Sequence, residues 1–265
     1  MSIPSLDHSA SAIVSRLRTA GCVFAEDEAQ MIMSAAGGAA ELERMIERRV
    51  VGLPLEHVVG YAEFCGLRIQ VDAEVFVPRR RTEALVRQAA ELAPARAVVV
   101  DLCCGSGALG VALAAALDEV ELYAADVDPA AVRCARRNVE PAGGEVYEGD
   151  LFEPLPAGLR GRVDVLLSNV PYVPTVEIEL LPAEARDYEA RVALDGGVDG
   201  LEVLRRVVAE AAEWLAPGGV LLFETSERQA DEAVAAVSAA GLLARVATDD
   251  ELDATVIIAS RPDTA

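Results

Sequence analysis

The 265-residue chain contains no lysine; all 23 of its basic residues are arginine. That excludes Schiff-base chemistry through a lysine amine, and phosphate loops that end on a lysine. Histidine is almost missing as well. His8 and His57 both precede residue 60, so the rest of the chain offers no imidazole base or imidazole metal ligand. The five cysteines (Cys22, Cys65, Cys103, Cys104, Cys134) are odd in number and form no C-x-x-C pair, which supports neither a disulfide framework nor a zinc site. No metal is expected. Apolar runs of about 18 residues are absent, and "MSIPSLDHSASAIVSRLRTAG" lacks the basic-then-apolar order of a secretory leader. A soluble cytoplasmic protein with no membrane contact is expected. The formal net charge of −21 opposes a grip on nucleic-acid phosphates, so protein or small-molecule partners are expected and direct nucleic-acid binding is not.

What is present divides the chain in three. From Ile3 to about Arg49, "SAIVSRLRTAG", "EDEAQMIMSAAG" and "AAELERMIERRVVG" carry apolar residues at helical spacing and stop at glycines. Residues 1–60 are read as a helical substrate-recognition domain. Residues 61–83 turn β-like, and "LRIQV" and "EVFV" around "DA" predict a β-hairpin junction. From residue 84 to 265, strands alternate with crossover helices, as in "ARAVVVDLC", "GALGVALAAAL", "VELYAADVD" and "PAAVRCARRNV". The expected fold class is α/β, a Rossmann-like, mainly parallel sheet. "ARVAT" and "ATVIIASR" leave no room for a helix between them, so the last strand should run antiparallel.

"VVVDLCCGSGALG" puts Gly105, Gly107 and Gly110 between a strand and a helix, with Asp126 ending the next strand. Read literally, this is a dinucleotide fingerprint, but glycines for close approach and a carboxylate for two ribose hydroxyls suit any adenosine cofactor. Asp101 separates the options. An acid ending the first strand would oppose a diphosphate, whereas a sulfonium cofactor carries a positive centre and an amino group, which favours S-adenosylmethionine. The alternative for Asp101 is a cap at the strand end or helix start. Asp150, in "EGDLF", ends the following strand at the same edge; it could accept the adenine amine, with Leu151 on the ring, or be a plain turn aspartate.

A second motif ends the strand "VDVLLSN". There Asn169, Val170, Pro171 and Tyr172 resemble the Asn-Pro-Pro-Tyr motif of methyltransferases acting on planar nitrogen. The surrounding chain resembles the HemK-type protein-(glutamine-N5) methyltransferases over nearly its whole length. "RRVVGLPLEHVVGYAEFCGLRIQVDAEVFVPRRRTEALV" is similar to that family's domain junction, and "RDYEARVALDGGVDGLEVLRRV" to the segment after its Asn-Pro-Pro-Tyr motif. The resemblance implies an N-terminal domain that holds a protein substrate, a class I S-adenosylmethionine domain, and methylation of the glutamine in the Gly-Gly-Gln tripeptide of peptide-chain release factors. It places Cys103, Cys104, Gly105, Ser106 and Gly107 along the methionine part of the cofactor, Asp126 on its ribose and Leu151 on its adenine. Asn169 to Tyr172 would hold the target amide. Three departures stand out. Cys103 replaces the family's first loop glycine, Arg80 and Arg81 replace Pro-Asp in Arg-Pro-Asp-Thr-Glu, and Ala190 replaces the proline after Glu189. The arginines read either as a solvated cluster or as a clamp on the cofactor carboxylate or an acidic partner.

An amide nitrogen is a poor nucleophile because its lone pair is delocalised, and without a nearby histidine the rate must come mainly from positioning. The Asn169 side-chain carbonyl can accept one N–H of the target amide and the Val170 main-chain carbonyl the other, with Tyr172 stacked on the amide plane. An adenine or small-molecule nitrogen would suit the same motif. The acidic charge and the absence of a basic recognition module favour a glutamine in a protein.

Overall fold

The computed structural model describes residues 8–262. The expected helical start at Ile3 lies outside these residues. Ser9 caps α1 (Ala10–Thr19) by accepting the Ala12 N–H, and α2 (Ala25–Ala35), α3 (Ala39–Val50) and the short α4 (Leu55–Val59) follow. Their apolar stripes meet around Ile13, Leu17, Ile32, Ile46 and Val58, which form a core separate from those of the sheet. Arg49, at the end of α3, is buried and donates to both oxygens of Glu28 on α2, at 2.6 and 3.1 Å.

The junction hairpin sits one strand earlier than the sequence suggests. Strand β1 (Tyr61–Phe64) pairs antiparallel with β2 (Leu67–Gln70). Between them Cys65 and Gly66 have φ of 48° and 74°, the positive pair of a two-residue type I′ turn. The expected second strand, "EVFV", is not a strand. Its Val75 and Val77 are buried against Ala62, Val71 and Cys134, and the Glu74 carbonyl accepts the Ala190 N–H at 2.9 Å. Side-chain alternation alone suggested a strand there, but the main chain finds its partner in the second half of the molecule.

The large domain is a seven-stranded sheet in the order β5-β4-β3-β6-β7-β9-β8. Its strands are β3 (Arg96–Leu102), β4 (Glu119–Asp126), β5 (Glu145–Glu148), β6 (Val163–Ser168), β7 (Leu215–Thr225), β8 (Leu243–Asp249) and β9 (Ala254–Ser260). The first five pair in parallel, and β9 runs antiparallel to both β7 and β8, as the missing crossover helix requires. Alternate residues of one strand feed opposite cores. Val99 packs with Leu85 and Ala89 of α5 (Glu83–Leu92) and Leu113 of α6 (Ala108–Ala116). Val98, Val100 and Leu102 pack with Val207, Val208 and Trp214 of α9 (Glu202–Trp214) and Val237 of α10 (Ala230–Ala239). Each such aliphatic side chain contributes roughly 1.5–3 kcal/mol by leaving water.

Chain order reverses at β3, which has β4 on one side and β6 on the other. A parallel sheet opens a crevice beyond the carboxyl ends of its strands at such a point. Leu102 is in register with Ser168, so the loop after β3 and the Asn169 turn after β6 emerge side by side.

Candidate active site

The loop after β3 is held in an unusual backbone conformation. Cys103, Gly105 and Gly107 have φ of 54°, 55° and 77°. At Gly107 the conformation and the space both demand glycine, because a Cβ would come within 2.6 Å of Val139 on α7 (Pro129–Val139). At Gly105 a Cβ would meet nothing within 4 Å, so the main chain there faces open space. Cys103 is a non-glycine residue in the left-handed region, a conformation that costs an ordinary residue about 1–2 kcal/mol. That cost explains why glycine is the residue suited to this position.

Two acids brace the loop. Asp126, at the end of β4, accepts the Gly105 N–H at 2.8 Å through one oxygen and the Asp128 N–H at 2.9 Å through the other. Burial raises its carboxyl above the ordinary range, against the pull of those two N–H groups. Asp101 is wholly buried and accepts the Gly110 N–H, in the first turn of α6, at 2.9 Å. Burial is the main reason its carboxyl is pushed up to about 8. The helix-start role accounts for that oxygen; the other, Oδ1, is buried without a hydrogen-bond partner among the described residues, and Asp101 is not part of the cavity lining. Asp150 lines the cavity rim, where it accepts from Arg206 at 2.6 Å. Leu151, with φ of 48°, forms the adjoining apolar wall.

These groups surround a cavity of about 280 Å³ at the carboxyl edge of the sheet. Cys103, Cys104, Gly105, Ser106, Asp126, Asp150 and Leu151 reach it from one side, and Asn169 and Pro171 from the other. Burial, with Asp126 nearby, raises the Cys103 thiol well above its ordinary value and keeps it protonated. The side-chain oxygen of Asn169 is buried and has no hydrogen-bond partner among the described residues. Gly107 and Val170 are buried but do not line the cavity.

Tyr172 also lies outside the lining. It was expected to stack on a substrate amide, but its hydroxyl donates to Glu224 at 3.0 Å and its ring borders an adjoining pocket instead. Two of the arginines at the junction pair with carboxylates of this same chain. Arg79 donates to both oxygens of buried Glu189 at 2.6 and 2.7 Å, and Arg81 to Glu224 at 2.7 Å; Arg80 and Arg81 are both exposed. Phe64, Phe76, Val192 and Arg206 also line the cavity, and no local pattern singles them out. Long-range folding brings these residues in, Phe64 from the end of β1 and Phe76 from the segment after β2.

The residues present suit S-adenosylmethionine. A wall of acids with open main chain beyond Gly105 suits a ligand rich in hydroxyl and amino donors and bearing a positive centre, and the Leu151 wall suits a flat apolar ring.

Residues 72–187 match the family described as Methyltransferase small domain. The release factor glutamine methyltransferase of Geobacter sulfurreducens is 42% identical over 199 residues, 74% of this chain and 69% of that protein. The one from Bradyrhizobium diazoefficiens is 31% identical over 262 residues, 90% of this chain and 88% of that protein. Among solved structures, a methyltransferase from Pyrococcus furiosus superposes with a TM-score of 0.56 at 18% identity, over 74% of this chain and 90% of that one. The ribosomal protein L11 methylase of Lactobacillus delbrueckii subsp. bulgaricus gives 0.51 at 15%, over 69% and 80%. At such identities the likeness is one of fold, a mainly parallel methyltransferase sheet. Given the relatives that match along most of their own length, the chain belongs to the release factor glutamine methyltransferase family.

Proposed function

We propose that this protein transfers a methyl group from S-adenosylmethionine to the side-chain amide nitrogen of a glutamine in a peptide-chain release factor. The observation that carries this reading is the Asn169 side-chain oxygen, a buried acceptor without a partner among the described residues, set in the cavity wall beside the glycine loop. A buried acceptor left unpaired is costly, so it fits a ligand that brings a donor. A primary amide brings two. Asn169 would take one N–H and the Val170 main-chain carbonyl the other, fixing the amide plane so that the nitrogen lone pair, perpendicular to it, is aimed at the methyl group.

S-adenosylmethionine supplies an electrophilic methyl group when bound. Gly105, Ser106, Asp126, Asp150 and Leu151 would hold it, with Cys103 and Cys104 closing the wall behind. Alignment of this kind contributes roughly 7–11 kcal/mol in favourable cases. The amide proton leaves once the nitrogen is methylated and acidic, so a strong base is not needed. His57, whose Nε2 donates to the Val75 carbonyl at 2.8 Å, is engaged elsewhere.

A cytoplasmic location and the absence of direct nucleic-acid contact belong to the same reading. Supporting it, no helix among the described residues is long and apolar enough to cross a membrane, and the net charge is −21. The test is transfer from labelled S-adenosylmethionine to purified release factors, with the modified residue located by mass spectrometry. Methylglutamine is expected, and Asn169→Ala should lower kcat by about 10²–10³-fold, as removal of one preorganised polar group does. Absence of transfer to any release factor would refute the assignment.

A further inference from the structure

Ser168 is in register with Phe223, so Asn169 and Glu224 are the next residues of neighbouring parallel strands. Asn169 faces the cavity, whereas Glu224 is 3% exposed on the other side of the motif turn. Its oxygens are fully engaged. Thr82 Oγ1 donates to one at 2.6 Å, and Arg81 Nε at 2.7 Å and the Tyr172 hydroxyl at 3.0 Å donate to the other. Arg81 also donates through Nη2 to the Tyr172 hydroxyl, and its guanidinium carbon lies 5.9 Å from the centre of that ring. The Tyr172 main-chain carbonyl accepts from Gln229 Nε2 at 3.0 Å, and a Cβ at Gly200 would press within 2.3 Å of it. Arg81 itself does not line the cavity.

The turn from Asn169 to Tyr172 therefore has an anchored far end and a near end that carries the unpartnered acceptor. Valine at 170 does not fix φ as proline would, so the chain between these points needs restraint from outside. Arg81 is suited to give it. Its planar fork serves the Glu224 carboxylate and the Tyr172 hydroxyl together, which a lysine ammonium cannot do in one geometry. We propose that Arg81 is a positioning residue: by clamping Glu224 and Tyr172 it sets the direction in which Asn169 presents its side-chain oxygen. The proposal rests on the catalytic reading of Asn169 given above.

The test compares Arg81→Ala, Arg81→Lys and Tyr172→Phe with the wild type, with S-adenosylmethionine bound. Amide hydrogen exchange at Val170, Tyr172 and Val173 should speed up by about tenfold in Arg81→Ala while exchange in β3 stays as in the wild type, the signature of local opening. Turnover should fall by about 10- to 100-fold in kcat, with KM for S-adenosylmethionine within about twofold of the wild type. Arg81→Lys should recover part of both losses, and Arg81→Ala combined with Tyr172→Phe should be no worse than Arg81→Ala alone. Unchanged exchange in the turn, a rise shared equally with β3, or additive losses would overturn the proposal. If Arg81→Ala does not fold, Tyr172→Phe removes only a hydroxyl, and unaltered exchange and kcat in that variant would overturn it equally. A wild type that methylates no release factor would refute the proposed function, and the exchange measurements would still judge the clamp.

Discussion

Cys103 and Asp101, only two residues apart, show how one loop can hold opposing demands. Cys103 takes a φ of 54° with a side chain attached, and Asp101 keeps a carboxyl in a fully buried place. Cys103→Gly and Cys103→Ala both delete the thiol, but only the first relieves the left-handed backbone. The glycine variant should be the more stable of the two by about 1 kcal/mol in urea unfolding. For Asp101 the sign follows from its carboxyl lying at about 8 in the folded chain against an ordinary 3.8. The folded state holds the proton more tightly, so this group's contribution is most favourable below about pH 4. It is lost as pH rises through about 8. Asp101→Asn keeps an acceptor for Gly110 without the charge, so its Tm relative to wild type should climb between pH 5 and pH 8 in the ligand-free protein. A difference that stays flat with pH would contradict the buried-carboxyl account. In the sequence both residues were visible as members of a glycine loop. What was not visible is that one Asp101 oxygen accepts the Gly110 N–H while the other has no partner among the described residues, since the direction of a strand-end side chain depends on the helix that packs over it.

Elements with a strong period were legible. The alternation of strand and helix after residue 84 anticipates β3 through β9, because buried parallel strands read as short apolar runs and amphipathic helices repeat every three to four residues. The hairpin was the exception. The expected pairing was "LRIQV" with "EVFV", whereas the positive φ at Cys65 and Gly66 turns β2 back onto β1. The carboxyl end of α9 shows what an element owes to its neighbours: Trp214 is 1% exposed and stacks on Phe152, with ring centres 5.3 Å apart, under the strands that carry the site. Trp214→Ala should cost about 3–5 kcal/mol in denaturant unfolding, with an unchanged m-value if the sheet itself persists. The loss should appear as stability before it appears as a change in substrate affinity.

At the scale of the whole molecule, the N-terminal helices are joined to the sheet domain through α8 (Ala183–Tyr188) as well as through the hairpin. Arg49 reaches from its buried pair with Glu28 to Glu184 at 2.6 Å, and the Tyr188 hydroxyl donates to the Val51 carbonyl at 3.0 Å. These two partners of Arg49 should not weigh alike. Arg49→Ala strands Glu28 as an unpaired buried charge and should cost about 3–5 kcal/mol, while Glu184→Ala removes a half-exposed partner and should cost less than about 1 kcal/mol. Thermal unfolding of the two variants distinguishes them, and equal losses would mean that the contact between the two parts, not burial, sets the energy. The sequence by itself determined the class of fold, the glycine loop and the Asn169 motif, because periodicity and turn chemistry are local properties of a chain. Only the tertiary structure decided that Arg79 and Arg81 serve carboxylates of this same chain and that Tyr172 turns to Glu224. Those pairings join residues over a hundred positions or some fifty positions apart, and nothing local in a sequence records which buried charge a distant arginine will meet.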